Sequence, residues 1–194
     1  MIDMEKQGNI IVISGSSGVG KSTICRDLVK RLENAYLSVS VSTRTPGPGE
    51  VDGRDYYFVS KEEFQKQIEA DNFFEYAEVF NNFYGTPKDK VIQAVNAGST
   101  VILEIDIQGA RQVKKLVPGA KMIFVLPPKQ TELLKRLNGR GRDEKNVMEK
   151  RLAQVSNEIA AAWQYYEHMV INEDLNQAIE EIVAIIESKT GEQK

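Results

Sequence analysis

The chain predicts an α/β fold, a doubly wound and mostly parallel sheet, on three observations. Short β-branched apolar runs at 10–13, 100–105 and 121–126 have the length and composition of strands buried on both faces. The stretches between them carry apolar residues at helical spacing, the alternation that builds crossover units and a parallel sheet. The first run feeds straight into a glycine-rich loop and then a helical stretch, the order expected of a phosphate-binding loop.

In that loop Gly15, Ser16, Ser17, Gly18, Val19, Gly20, Lys21 and Ser22 have the spacing G-x-x-x-x-G-K-S, with Thr23 next. Small residues let backbone N–H groups turn inward around a polyphosphate, and the following helix aims its positive end at the same anion. Lys21 would reach the β- and γ-phosphates, and the Ser22 hydroxyl is placed to serve a hydrated Mg²⁺. A glycine-rich turn that binds nothing is the competing reading. The Lys-Ser pair, set between a strand and a helix, argues against it.

Composition narrows the partners. With 194 residues the chain is long enough for one α/β core with insertions and too short for two ordinary domains. The net charge of −3, from 25 Lys and Arg against 28 Asp and Glu, comes without a block of like charges. No nucleic-acid or membrane partner is therefore expected, and any cationic site must be local. The single cysteine, Cys25, excludes an internal disulfide, argues for a reducing compartment and is expected to pack in the first helix. The first residues carry acids and lack the apolar core of a signal peptide, and no apolar run approaches the ~20 residues that span a bilayer. A soluble cytoplasmic protein is expected, as a monomer or a homodimer.

The elements then follow in order. Ile24, Leu28, Val29 and Leu32 share one face of a helix over 23–32, and alternating Ser and apolar residues predict a strand over 37–41. The next segment, with two Pro and three Gly within eight positions, must be a loop. Ser60-Lys61-Glu62-Glu63 has the form of a capping box and starts a helix to about 70. Two short strands, 73–79 and 82–84, are expected around an Asn-Asn turn, so that 38–86 forms a small β-rich lobe inserted into the core. Helices over 88–97 and 108–116 alternate with the strands at 100–105 and 121–126. Further on come a helix at 130–137, a glycine-jointed basic loop, a helix from 146 to about 166, a strand at 168–171, and a terminal helix capped by Asp174.

The phosphate loop alone names a very large class, and a second set of motifs narrows it. Ser38 to Pro46 (SVSVSTRTP), Gly49 to Val59 (GEVDGRDYYFV), Phe74-Glu75-Tyr76-Ala77 with Tyr84-Gly85-Thr86, and Leu103 to Gly109 (LEIDIQG) closely resemble the guanylate kinases. Arg136 to Gly141 and Ile171 to Leu175 match the same family in the same order. The resemblance covers nearly the whole chain. It implies an ATP:GMP phosphotransferase with a core (1–37, 87–137 and 153–194), a GMP-binding lobe (38–86) and a mobile lid (138–152), acting on GMP or dGMP with ATP and Mg²⁺.

By that resemblance Glu75 accepts from guanine N1–H and the 2-amino group, while the Ser40 and Thr86 hydroxyls complete the recognition of the base. Adenine would set its lone pair against Glu75, so selectivity would come from unpaired buried groups as well as from attraction. Arg44 would fork the acceptor phosphate, with Tyr56 and Tyr84 donating from the side. Asp106 is expected to help position hydrated Mg²⁺ together with Ser22. Glu104, where many members have Asp, is either a metal-side acid or a guanine-side contact. The cations at the transferring phosphoryl would be Lys21, Arg136, Arg140 and Arg151, and Asn172 would contact adenine.

Each of these residues also has a plainer reading: a surface glutamate at 75, a helix-capping Asp at 106, packing tyrosines, a turn asparagine at 172, exposed arginines. The chain departs from the pattern at Gly47, where most members carry a second phosphate-binding arginine. Arg54, on the same loop, is expected to supply part of that charge. His168, the only histidine, is expected to be structural. A kinase for another small acceptor and a non-catalytic guanylate-kinase-like interaction module are the alternative functions.

Overall fold

The computed structural model describes residues 8–128, 160 and 162–188. Strand β1 (Ile10–Gly15) lies at the centre of a five-stranded sheet. On one side it pairs with β7 (Thr100–Glu104), which pairs with β2 (Ala35–Leu37); on the other it pairs with β8 (Lys121–Leu126), which pairs with β9 (His168–Ile171). Every neighbouring pair is parallel.

Successive side chains of a strand point to opposite faces, and here both faces are covered. Ile10 and Val12 pack with Val101, Leu103, Met122 and Phe124 under helices α3 (Lys88–Asn96) and α4 (Ile107–Leu116). Ile11 and Ile13 pack with Ile102, Ile123 and Val125 under α1 (Lys21–Arg31) and α5 (Leu175–Glu187). That is why the strands read as unbroken apolar runs. Each large side chain so buried contributes about 1.5–3 kcal/mol. Cys25 is fully buried in α1, as its helical position suggests.

The inserted lobe has its own sheet, in the order β4 (Tyr57–Phe58), β3 (Val41–Ser42), β6 (Asn82–Pro87), β5 (Phe73–Val79). Helix α2 (Lys61–Glu69) covers it, its Ser60 cap accepting from Glu63 N–H at 3.0 Å. Phe64 stacks on Phe73 and Phe83 with ring centroids 4.4 and 5.5 Å away, so the aromatic density of this region is a small separate core. The lobe is fastened to the main body through glutamines of α4. Gln112 donates to Tyr76 O at 2.7 Å and accepts from Tyr76 N–H at 3.3 Å, while Gln108 donates to Glu78 O at 3.0 Å. These side chains satisfy the outer edge of β5 where another strand would otherwise add.

Two expectations needed correction. The strand foreseen at 37–41 is divided: Ala35–Leu37 pairs with β7 of the main sheet, and only Val41–Ser42 belongs to the lobe. Ser38 N–H still reaches Ile102 O, whereas Ser40 O already accepts from Tyr57 N–H. Alternation signals extended chain but not its partner, and this segment changes partner in the middle. The hairpin turn lies one residue earlier than foreseen, at Phe80-Asn81, with φ of 50° and 61°, the two left-handed residues of a type I′ turn. The strand is also longer than foreseen: β6 runs on from 84 through Gly85 and Thr86 to Pro87, which the strand tolerates at its end.

Candidate active site

The carboxyl ends of β1, β7 and β9 deliver the phosphate loop, the 104–106 acids and Asn172 to one edge of the sheet, where sites of open α/β folds gather. Helix α1 begins at Lys21 with no side-chain cap and no acid in its first turn. Its leading N–H groups and dipole are therefore not neutralised by an acidic side chain of that turn, in contrast to α2, which has Ser60, Glu62 and Glu63. Lys21 Nζ donates to Gly15 O at 2.6 Å and Ser16 O at 3.0 Å, folded over the loop it serves. Ser22 Oγ donates to Glu104 Oε1 at 2.7 Å. Glu104 thus lies at Ser22, the metal side of the two positions foreseen for it, while Asp106, foreseen at the metal with Ser22, bonds elsewhere.

Asp106 takes the capping role that was its plainer reading. Its Oδ1 accepts from Gly109 N–H at 2.9 Å and its Oδ2 from Gln108 at 3.2 Å, closing the start of α4. The same turn faces Glu75. A Cβ built on Gly109 would lie 2.0 Å from Glu75 Oε2, so only glycine permits the carboxylate to rest there. The register shift between Phe73 and Glu75 leaves Phe73, Phe74 and Glu75 all buried in succession, the signature of a bulge that re-aims a side chain inward. Glu75 is 4% exposed, and its Oε1 accepts from Thr86 Oγ1 at 2.6 Å. Burial first, and the nearby Asp106 charge, push its pKa up to about 7 against the pull of Thr86. Burial also raises Asp106, despite its N–H donors.

Across the lobe, Arg44 forks Glu50 with bonds of 2.8 and 2.9 Å, and Glu50 also accepts from Gly47 N–H at 2.5 Å. That fork holds Glu50 below the usual carboxylate range and keeps Arg44 firmly charged. The guanidinium lies 5.2 Å from the Tyr56 ring centroid, and the Tyr56 and Tyr84 rings meet edge-on at 6.0 Å. Burial, with the Glu104 charge next, pushes Tyr56 up to about 12, so its hydroxyl remains a donor at any physiological pH. Arg54 is turned to Asp55 at 2.7 Å and to Gly49 O at 3.2 Å. Asp55 also pairs with Arg26 of α1, a further link between lobe and core.

Asn172 is 5% exposed and its Nδ2 donates to Val19 O at 2.7 Å. The side chain expected at adenine is thus turned to the phosphate loop. Ser40 lies between the two sheets, its carbonyl occupied by Tyr57. Arg136, Arg140 and Arg151, and the whole 138–152 segment, lie outside the described residues. Among the described residues no group of three His, Cys, Asp or Glu side chains is arranged to hold a metal, and no helix is long and apolar enough to cross a membrane.

Sequence reasoning quoted Glu50 and Gly109 within motifs but gave them no task. A signal existed for Gly109: glycine inside a helix costs about 1 kcal/mol relative to alanine, which flags a close approach. For Gln108 and Gln112 none did, since their use depends on which strand lies alongside.

A phosphate loop at the centre of a parallel sheet, joined to an inserted β lobe with its own buried carboxylate, defines a P-loop kinase architecture. The family model described as guanylate kinase matches residues 7–189. The guanylate kinase of Synechocystis sp. is 46% identical over 180 residues, 93% of this chain and 94% of the relative. That of Clostridioides difficile is 45% identical over 184 residues, 95% of this chain and 89% of the relative. The crystal structure of guanylate kinase from Anaplasma phagocytophilum superposes with a TM-score of 0.78 at 33% identity, covering 94% of this chain and 86% of that one. The chain belongs to the guanylate kinase family.

Proposed function

We propose that this protein catalyses ATP-dependent phosphorylation of GMP, and of dGMP, giving GDP or dGDP and ADP. The observation that carries the reading is the stretch 104–109, which serves both halves of the site within six residues. Glu104 bonds Ser22 of the phosphate loop, and Gly109 receives the Glu75 carboxylate of the lobe. Family membership supports the same reaction.

In this reading the loop 15–22, with Thr23, holds the ATP phosphates and Lys21 bears on the β- and γ-oxygens. Glu75 accepts from guanine N1–H and the 2-amino group, with Thr86 and Ser40 beside it and Asp106 completing the acidic end of the pocket. Arg44, Tyr56 and Tyr84 receive the acceptor phosphate, and the hydroxyl of Tyr56 is kept protonated by burial. The acceptor is already an ionised phosphate, so positioning and charge neutralisation are what the protein must supply, and no general base is needed. Arg136, Arg140 and Arg151 would add cationic charge at the transferring phosphoryl.

The donors suit Mg²⁺. A hydroxyl and a carboxylate oxygen lie 2.7 Å apart at Ser22 and Glu104, both hard oxygen donors, with Asp106 two residues on. Ser22 would hold the ion, and Glu104 and Asp106 its waters; when bound, it neutralises charge on the phosphates. The reaction compartment we propose is the cytoplasm, in keeping with the buried reduced Cys25.

The test is ADP release measured with GMP, dGMP, AMP, CMP and UMP as acceptors. Turnover with GMP and dGMP alone is expected. Equal turnover with AMP would overturn the assignment of Glu75 to the base.

A further inference from the structure

We propose that Asn172 is a positioning residue for the phosphate loop: by holding the Val19 carbonyl it turns the Gly20 N–H toward the anion. This inference rests on the reading of loop 15–22 as the cradle of the ATP phosphates.

A phosphate loop works only if its amide protons point inward, and each peptide plane of a flexible glycine-rich loop can flip. In a trans peptide the carbonyl and the next N–H point in opposite directions. Fixing the Val19 oxygen on the outer side therefore fixes the Gly20 N–H on the inner side. Asn172 Nδ2 provides that fix at 2.7 Å, from 153 positions away in the chain, in a buried bond. Its own backbone is immobilised, since Asn172 N–H donates to Leu126 O at 2.8 Å at the ends of β8 and β9. The oxygen of Val19 is an acceptor, so the amide nitrogen must face it.

The other half of the device is Gly20, with φ of +106°. A Cβ there would lie 2.6 Å from Asn172 Nδ2. The amide thus packs on a bare Cα, and loop and brace fit only because both residues are what they are. With 95% of its surface covered and its donor nitrogen turned to the loop, Asn172 acts on the nucleotide through Val19 and Gly20.

A base contact and a loop brace are separated by a ligand that has phosphates and no base. Inorganic tripolyphosphate and ATP are titrated with Mg²⁺ into the full-length wild-type protein, Asn172→Ala and Asn172→Asp. The brace predicts that both ligands weaken together, about tenfold for Ala, as the loss of one buried hydrogen bond can produce, and more for Asp, which sets a carboxylate against the Val19 carbonyl. The KM for GMP should stay within about twofold, since its binders lie in the lobe. Weakened ATP with unchanged tripolyphosphate would overturn the inference and return Asn172 to the base.

Should the variants be too unstable to titrate, the Gly20 amide resonance of ¹⁵N-labelled wild-type protein decides. A large shift on adding tripolyphosphate is expected, and a stationary Gly20 signal while Lys21 and Ser22 move would sink the inference. If wild-type protein binds ATP but its loop resonances ignore tripolyphosphate altogether, the phosphate-loop reading itself fails.

Discussion

The two halves of the site are built on opposite plans. The phosphate loop is eight consecutive residues between a central strand and its helix, and it presents mainly backbone: N–H groups, a helix end, one lysine. The proposed acceptor half presents side chains, from the lobe and from the start of α4, several of them held by another side chain: Glu75 by Thr86, Arg44 by Glu50, Asp106 by Gln108. A polyphosphate is dense, symmetric charge that a fixed array of amides can bind. A guanine edge is a particular order of donors and acceptors, and only side chains of chosen type can mirror it. The difference teaches that the donor site should be sensitive to backbone orientation, and the acceptor site to the chemistry and protonation of individual groups.

The largest effect expected from breaking this division is at Lys21, the loop's one charged side chain. Lys21→Ala should lower kcat by about 10²–10³-fold, the usual cost of losing a preorganised charge at the transferring group, with little change in Tm or in the KM for GMP. A loss confined to the KM for ATP would instead make Lys21 a ground-state binder.

Next comes Glu75→Gln, which keeps the shape and the bond to Thr86 but removes the second acceptor and the charge. It should cost about 10²-fold in kcat/KM for GMP, in line with the roughly 1.5–3 kcal/mol of a charged hydrogen bond. The pH dependence sharpens this. In the wild type Glu75 ionises near 7, well above the ordinary 4.5. On the proposed reading guanine is bound by the ionised form, so kcat/KM for GMP should rise through pH 7 and then level, and the Gln variant should lose that limb.

Stability should move the opposite way. The folded protein keeps this proton while the unfolded chain has released it, so stability should fall between about pH 4.5 and 7, by on the order of 3 kcal/mol. Urea titrations across that range check it, and an equal fall in Glu75→Gln would assign the effect to another group.

Gly109→Ala is a smaller perturbation that tests whether the two plans meet at 104–109. Its methyl must displace Glu75 or tilt α4, and the KM for GMP should rise about tenfold while the KM for ATP moves less than about twofold. Alanine's helix preference, about 1 kcal/mol, offsets some of the strain, so Tm is a poor guide here and the split between the two KM values is the measurement. The smallest effect is expected at Arg54. It is 64% exposed at its side chain and engaged with Asp55, so Arg54→Ala should change the KM for GMP less than about threefold, as exposed ion pairs do. A tenfold rise would mean that Arg54 does replace the charge missing at Gly47.

What could be read from the chain follows the same division. The phosphate loop, the parallel sheet and the capped helices are local or periodic signals. Ser60 and Asp174 cap as their spacing says, and β1 is buried on both faces as its unbroken apolar run requires. The acceptor residues were legible only through the resemblance to a family: Phe73, Phe74 and Tyr76 hint that Glu75 is partly buried, but a bulge disguises its alternation.

The sequence by itself determined the α/β order and the strand, glycine-rich loop and helix that run from Ile10 to Arg31, since these depend on spacing and on side-chain chemistry. Only the tertiary structure decided that Ser22 faces Glu104, that Asp106 and Glu75 share the bare turn at Gly109, and that Asn172 backs Val19. Ser22 and Glu104 are 82 positions apart in the chain, and Val19 and Asn172 are 153 apart. Which side chains meet across such distances is fixed by how the sheet stacks its strands and where the inserted lobe docks, and no local pattern encodes that.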